Sequence, residues 1–155
     1  MRNITSISRR SLLSGMAAVG ALTTVPVAGA RKVWAGDDLV VGAIYVGAKD
    51  DYGWNQGHAV GVAALKDISG VKVVEEENVP ETVEVQKSME SMINFDGAQL
   101  IFATSFGYWD HMLKVAAKYP DVQFLHAAPS VWEEGMPVNA GSYNGYIDQS
   151  QYIAG

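Results

Sequence analysis

The chain of 155 residues contains no cysteine, five prolines and only 18% charged residues. Without cysteine there is no disulfide framework, no thiolate metal ligand, no cysteine nucleophile and no lipobox cysteine to acylate. Seventeen acidic against 11 basic residues give a formal charge of −6. This charge disfavours proteins that bind nucleic acid or an anionic membrane surface. The apolar content of 48% excludes a disordered chain, and the length suits one domain.

Sequence motifs that carry catalysis are also missing. Neither a Gly-x-Ser-x-Gly elbow nor a Walker phosphate loop occurs. No metal-ligand spacing links the three histidines, His58, His111 and His126. Gly53, Gly57 and Gly61 recur every fourth residue, which follows a helix, so we predict that they let a helix pack closely on a sheet. The sequence therefore predicts no enzyme, no metal site and no cofactor.

The first 30 residues have the composition of an export signal. Arginines near the N-terminus precede an uncharged stretch over 11–30, which ends in the small-residue tripeptide Ala28-Gly29-Ala30. A membrane anchor needs about 20 strongly apolar residues, whereas Ser, Thr and Gly dilute this stretch. We therefore predict a signal peptide over 1–30, cut after Ala30, and a short tail over 31–38. An N-terminal anchor is the alternative.

The export route is suggested by the segment Ser8-Arg9-Arg10-Ser11-Leu12-Leu13. This segment resembles a twin-arginine signal, which prefers Phe at the position of Leu12 and Lys at that of Ser14. An ordinary Sec signal with a basic n-region is the alternative. Cleavage leaves an acidic, cysteine-free protein with 17 acidic and eight basic residues. Such a protein fits the bacterial periplasm. It does not fit an extracellular eukaryotic module, which at this size is usually stapled by disulfides.

Strand and helix patterns alternate from residue 39 onward. Strands are predicted over 39–46, 71–74, 98–103, 122–127 and 141–146, and helices over 54–68, 82–93, 108–118 and from 148. Strands separated by helices of this length form βαβ units. The sequence therefore predicts an α/β fold with a doubly wound parallel sheet in the strand order 2-1-3-4-5.

The first two predicted helices show an apolar face, and the helix predicted from residue 148 is incomplete. The buried face is predicted to contain Val60, Ala63, Ala64 and Ile68 in the first helix, and Val85, Met89, Met92 and Ile93 in the second. The last helical pattern stops at Gly155 without a cap. We therefore expect a truncated chain that is marginally stable and prone to aggregate without the missing part.

The loops that follow the strands are the candidate binding segments, because ligands bind at the carboxyl ends of parallel strands. The first such loop, 47–56, contains Asp51, Trp54 and Asn55. These residues suit a purine or another flat ring, because the indole face stacks on the ring and the polar groups form hydrogen bonds with the ring's edge. The alternative is a turn that caps the first helix, with Trp54 tucked against the sheet.

Two further loops repeat this combination of aromatic and polar residues. Ser105 and Phe106 follow the third strand, and Asn144 lies between tyrosines at the end of the fifth. Each loop has two interpretations, as a wall of the ligand site or as a purely structural turn. In the structural interpretation, Ser105 caps a helix and Phe106 packs in the core. The acidic segment over 75–81, which contains Glu75, Glu76, Glu77 and Glu81, is predicted to be a solvated turn rather than a cation site.

Three stretches, 41–61, 99–128 and 141–155, resemble the basic-membrane-protein (BMP) family of ABC-transporter substrate-binding proteins, also called PnrA-like nucleoside-binding proteins. The most specific matches are Tyr-Gly-Trp-Asn over 52–55 and Thr-Ser-Phe-Gly-Tyr over 104–108. The resemblance covers 39–155 and implies the N-terminal lobe of a type I periplasmic binding protein, whose second lobe is missing.

For the ligand, the resemblance implies a base that stacks on Trp54 and is bonded along its edge by Asn55. It is closest to the branch associated with free purine bases such as adenine. Relatives with Phe at the position of Trp54 bind nucleosides, so that both a base and a nucleoside stay open. Many members are lipoproteins, which this cysteine-free chain is not.

The implied function is the solute-binding component of a purine importer. It would deliver a purine base or nucleoside to an ABC permease and its ATPase through transient membrane-protein contact. One alternative is a secreted nucleoside hydrolase or phosphorylase, which the missing nucleophile, metal cluster and phosphate loop disfavour. Another is the sensing domain of a receptor, which an export signal without a following membrane span disfavours.

Overall fold

The computed structural model describes residues 38–128 and 133–144. The predicted signal peptide and the helix expected from residue 148 lie outside the described residues. In the described part the elements are β1 (Leu39–Ile44), α1 (Trp54–Leu65), β2 (Val71–Glu76), α2 (Val83–Asp96), β3 (Leu100–Ala103), a 3-10 turn (Phe106–Tyr108), α3 (Trp109–Lys118), β4 (Gln123–Ala127) and β5 (Ala140–Tyr143). None of these helices is long and apolar enough to cross a membrane.

The strands form one parallel sheet in the order β2-β1-β3-β4-β5. In the central pair Val41 lies opposite Leu100 and Ile44 opposite Ala103, and every neighbouring pair runs in the same direction. Both the α/β class and the strand order predicted from the sequence are confirmed. Since all strands are parallel, the loops that follow them meet at a single edge of the sheet.

The boundary of β2 differs from the prediction. The strand continues through Glu76, whose carbonyl accepts a hydrogen bond from the amide of Tyr45 at 2.9 Å. Glu75 accepts a hydrogen bond from the Tyr45 hydroxyl at 3.1 Å and forms ion pairs with Lys66 and Lys49. The prediction of a solvated acidic turn is therefore wrong for Glu75. The strand continues through this residue because Glu75 pairs with Ala43 of β1.

The larger part of the core lies between the sheet and helices α2 and α3. α2 begins where the Thr82 hydroxyl accepts a hydrogen bond from the amide of Glu84, and it ends at Gly97, whose φ is 74°. Its predicted apolar face is confirmed, because Val85, Met89 and Met92 are buried there. The strong contrast between apolar and polar positions in this helix specifies which side packs on the sheet.

Helix α1 packs on the sheet with a different side from the one predicted. Val60 is 66% exposed, and Ile68, beyond the end of the helix, is 52% exposed. Val62 is instead buried, in one cluster with Ala43 and Tyr45. Gly57 and Gly61 are exposed, and a Cβ atom at either would have no neighbour within 4 Å. The prediction that these glycines pack on the sheet is therefore wrong. α1 consists mostly of small or apolar residues, so its pattern favours no single face.

Candidate functional site

Two loops at the carboxyl edge of the sheet contain the predicted site residues Asp51, Ser105 and Phe106, and Trp54 and Asn55 begin the helix that follows the first loop. The β1 loop, residues 45–53, leads into α1, and the β3 loop, residues 104–108, leads into α3. Because β1 and β3 are neighbouring parallel strands, the two loops lie side by side. The start of α1 and the β3 loop are therefore close enough for Trp54 to reach Phe106.

Asp51 caps the start of α1. One carboxylate oxygen accepts hydrogen bonds from the amides of Gly53 and Gln56, and the other accepts from the amide and the side-chain nitrogen of Asn55, at 2.8 to 3.1 Å. The Gln56 amide contributes most to lowering the pKa of Asp51 to about 2. Four donors occupy the usual acceptor positions of a carboxylate. Asp51 therefore holds the turn in the manner of a helix cap.

Asn55 is fixed beneath this turn. Its side chain is buried, one N–H group donates to Asp51, and its oxygen lies 3.4 Å from the amide of Gly47. A Cβ atom at Gly47 would come within 2.9 Å of the Asn55 side-chain nitrogen, so the approach requires glycine. An amide nitrogen carries two N–H groups. The second one is the chemical group in this turn that suits the edge of a ligand ring.

Trp54 links the two loops. Its indole nitrogen donates a hydrogen bond to the carbonyl of Thr104 at 2.6 Å, and its ring lies 5.2 Å from that of Phe106 at an angle of 38°. The Thr104 hydroxyl in turn donates to the carbonyl of Ile44 at the end of β1. The indole is therefore fixed by its edge to the backbone, whereas the Phe106 side chain is 60% exposed.

The aromatic contacts continue from Trp54 towards β5. His58, one helical turn after Trp54, lies 4.8 Å from the indole and 6.2 Å from the Tyr143 ring, both edge to face. Burial lowers the pKa of His58 and raises that of Tyr143 to about 12, so both are neutral at pH 7. Asn144 directly follows Tyr143, the last residue of β5, and is exposed.

The β3 loop is held by residues from elsewhere in the chain. Oε1 of Glu81 accepts hydrogen bonds from the Ser105 hydroxyl at 2.5 Å and from the Gly107 amide at 2.8 Å. The buried Nε2 of His126 lies 2.8 Å from the Ser105 carbonyl and 3.2 Å from that of Phe106. A carbonyl only accepts, so Nε2 carries the proton. Ser105 itself is buried, which makes it a supporting residue of the loop.

Sequence reasoning missed four of these residues, namely His58, Tyr143, Glu81 and His126. The spacing of Trp54 and His58 by four residues, which places both on one side of a helix, was a usable signal for His58. Glu81 and His126 act on partners more than 20 residues away, and no local pattern marks such contacts. Within the described residues no group of His, Asp and Glu is arranged to hold a metal ion.

Ligands of parallel α/β sheets bind at the carboxyl ends of the strands, and the paired rings of Trp54 and Phe106 lie at that edge here. Residues 39–155 match the family described as ABC transporter substrate-binding protein PnrA-like, and the chain belongs to this family. The predicted resemblance to the BMP family is thereby confirmed. Members are substrate-binding components of transporters, which also confirms the prediction that the protein is not an enzyme.

Two curated relatives are similar in sequence. The chain is 37% identical over 121 residues to a purine-binding protein of Brucella abortus strain 2308, and this match covers 77% of the chain and 33% of the relative. It is 29% identical over 120 residues to a Haloferax volcanii protein whose name describes glucose binding by an ABC transporter, covering 77% of the chain and 29% of that relative. The chain thus spans about a third of the length of the curated relatives it matches.

Solved structures show the same fold. An ABC transporter solute-binding protein from Conexibacter woesei matches with a TM-score of 0.62 at 21% identity, covering 74% of this chain and 38% of that one. A second solute-binding protein, from Aeropyrum pernix, matches with a TM-score of 0.55 at 25% identity, covering 68% of this chain and 28% of that one. The fold is therefore that of ABC solute-binding proteins, as predicted.

Proposed function

We propose that the chain is the N-terminal lobe of a periplasmic protein that binds a purine base or nucleoside and delivers it to an ABC permease. The observation that carries this proposal is the pair of Trp54 and Phe106 at the carboxyl edge of the sheet, with ring centroids 5.2 Å apart. Aromatic side chains of this kind stack on nucleobases. The 37% identity to a protein named for purine binding supports the same ligand class.

The proposed site residues have two roles. Trp54 and Phe106 stack on the base, while Asn55 and the exposed Asn144 bond its polar edge. Asp51 and Ser105 contribute by holding these groups in place, because their own polar atoms already bind partners within the protein. The matches cover only about a third of each relative's length, and we propose that a second lobe closes over the ligand.

Binding of purines by the full-length protein is the test. Adenine, hypoxanthine, adenosine, inosine and glucose are titrated separately by isothermal calorimetry. We expect at least one purine ligand to bind with micromolar or tighter affinity and glucose to give no binding heat. Binding of glucose without any purine would contradict the proposal and would instead match the ligand named for the Haloferax relative. Release of hypoxanthine from inosine would favour a hydrolase.

We further propose that residues 1–30 direct export through the twin-arginine route, with cleavage after Ala30. The arginine pair Arg9-Arg10 and the tripeptide before the cleavage site support this proposal. Mass spectrometry of the mature protein is expected to show an N-terminus at Arg31. Replacing Arg9 and Arg10 by lysine is expected to stop export, and undiminished export of this variant would assign the signal to the Sec route.

A further inference from the structure

A carboxylate from outside the β3 loop determines how that loop is built. Glu81 lies between β2 and α2, and a single oxygen, Oε1, accepts both the Ser105 hydroxyl and the Gly107 amide. These two residues flank Phe106, whose side chain is 60% exposed beside Trp54. The Phe106 backbone is therefore held on both sides by the same carboxylate.

The space at Gly107 is shaped for this contact. A Cβ atom at Gly107 would lie 2.5 Å from Cδ and 2.8 Å from Cβ of Glu81. Only glycine allows the two segments to approach so closely. The hydrogen bonds from Ser105 and Gly107 lower the pKa of the Glu81 carboxyl, so the group is charged at neutral pH and accepts strong, charge-assisted hydrogen bonds.

The segment that carries Glu81 is itself anchored. The amide of Val79 donates to the carbonyl of Tyr45 at 3.0 Å, and the Val79 carbonyl accepts from the buried hydroxyl of Tyr108 at 2.6 Å. Val79 is buried as well. Glu81 is thus presented from a fixed backbone that contacts both the end of β1 and the start of α3.

We propose that Glu81 is a positioning residue for ligand binding, which fixes Ser105 and Gly107 and thereby holds the Phe106 ring beside Trp54 where a base stacks. This inference rests on the proposed function, because it takes Phe106 to be part of the ligand-binding surface. A preformed loop binds more tightly than one that must be ordered by the ligand. Glu81→Ala is therefore expected to weaken purine affinity about tenfold.

The test compares three variants of the full-length protein. Glu81→Ala removes both hydrogen bonds, and Glu81→Gln keeps a side-chain oxygen that can accept them. Glu84→Ala is the matched control, because Glu84 is an exposed acid nearby that pairs with Lys87 rather than with the β3 loop. Purine affinity is measured by calorimetry, and protection of the Gly107 amide is measured by hydrogen exchange.

We expect Glu81→Ala to lose both affinity and Gly107 protection, Glu81→Gln to recover most of each, and Glu84→Ala to match the wild type. An affinity of Glu81→Ala within twofold of the wild type, with the Gly107 amide unprotected, would overturn the inference and leave the proposed function intact. If the wild type binds no purine, the proposed function fails. Unchanged Gly107 protection in both Glu81 variants would overturn the inference whatever the wild type binds.

Discussion

The turn into α1 and the turn into α3 are held in different ways. Asp51 organises the first through hydrogen bonds to residues two to five positions ahead of it. The second depends on Glu81, His126 and Trp54, which lie 20 to 50 residues away from the atoms they contact. The first turn is therefore organised largely within its own segment, although Lys49 also donates to Glu77 and Trp54 to Thr104. The second turn depends on contacts from other parts of the chain.

This difference matters for binding because the two turns present the two halves of the proposed stacking surface. Trp54 directly follows the first turn as the first residue of α1, and Phe106 lies in the second turn. A change in Asp51 should therefore act on one helix end alone, while changes around the β3 loop should act on stability and on ligand affinity together.

Replacing His126 is expected to have the largest effect on stability. His126→Leu keeps much of the buried volume and removes the N–H group that faces the carbonyls of Ser105 and Phe106. Leaving buried acceptors without a donor costs about 1–3 kcal/mol. We expect the free energy of unfolding in urea to fall by that amount. His111→Leu, at a partly buried histidine on α3, is the control, and an equal loss there would contradict a special role for His126.

A methyl group at Gly107 is expected to have a smaller effect. Gly107→Ala forces Glu81 away from the loop, because the new Cβ would lie 2.5 Å from its carboxyl carbon. Loss of the two hydrogen bonds should lower the free energy of unfolding by about 1 kcal/mol. Gly57→Ala is the matched control, since its Cβ would meet no atom within 4 Å and alanine favours a helix by about 0.5–1 kcal/mol. Opposite signs for the two variants are expected in thermal denaturation.

Removing Asp51 is expected to have the most local effect. Asp51→Ala should speed hydrogen exchange at the amides of Gly53, Asn55 and Gln56 and leave that of Gly107 unchanged. Faster exchange at Gly107 in this variant would show that the two turns are not independent.

The stabilising contribution of Asp51 should depend on pH. The hydrogen bond from the Gln56 amide, with those from Gly53 and Asn55, lowers the pKa of the Asp51 carboxyl from its ordinary value of 3.8 to about 2 in the folded protein. The contribution is therefore complete above the ordinary value and is lost as the pH falls through about 2. The difference in unfolding free energy between wild type and Asp51→Ala should shrink over that interval, and a constant difference would argue against the cap.

The contrast between the turns also explains what the sequence could predict. The parallel sheet, the buried face of α2 and the position of Trp54 at a strand's carboxyl end follow from local patterns of apolar and turn residues. The buried face of α1 did not, because small and apolar residues occupy almost all of its sides. The prediction of a solvated turn is also wrong for Glu81, because its partners, Ser105 and Gly107, meet it only through the order of the strands.

The most direct test of the binding account is calorimetric titration of purine into full-length Trp54→Ala and Trp54→Phe, with folding checked by circular dichroism. Stacking of an aromatic side chain on a base is worth about 1–3 kcal/mol, and each 1.4 kcal/mol corresponds to about a tenfold change in affinity. We expect Trp54→Ala to weaken binding about tenfold to a hundredfold. Trp54→Phe should keep most of the affinity, although it also loses the hydrogen bond to Thr104. Unchanged purine affinity in a well-folded Trp54→Ala protein would contradict the assignment of this site.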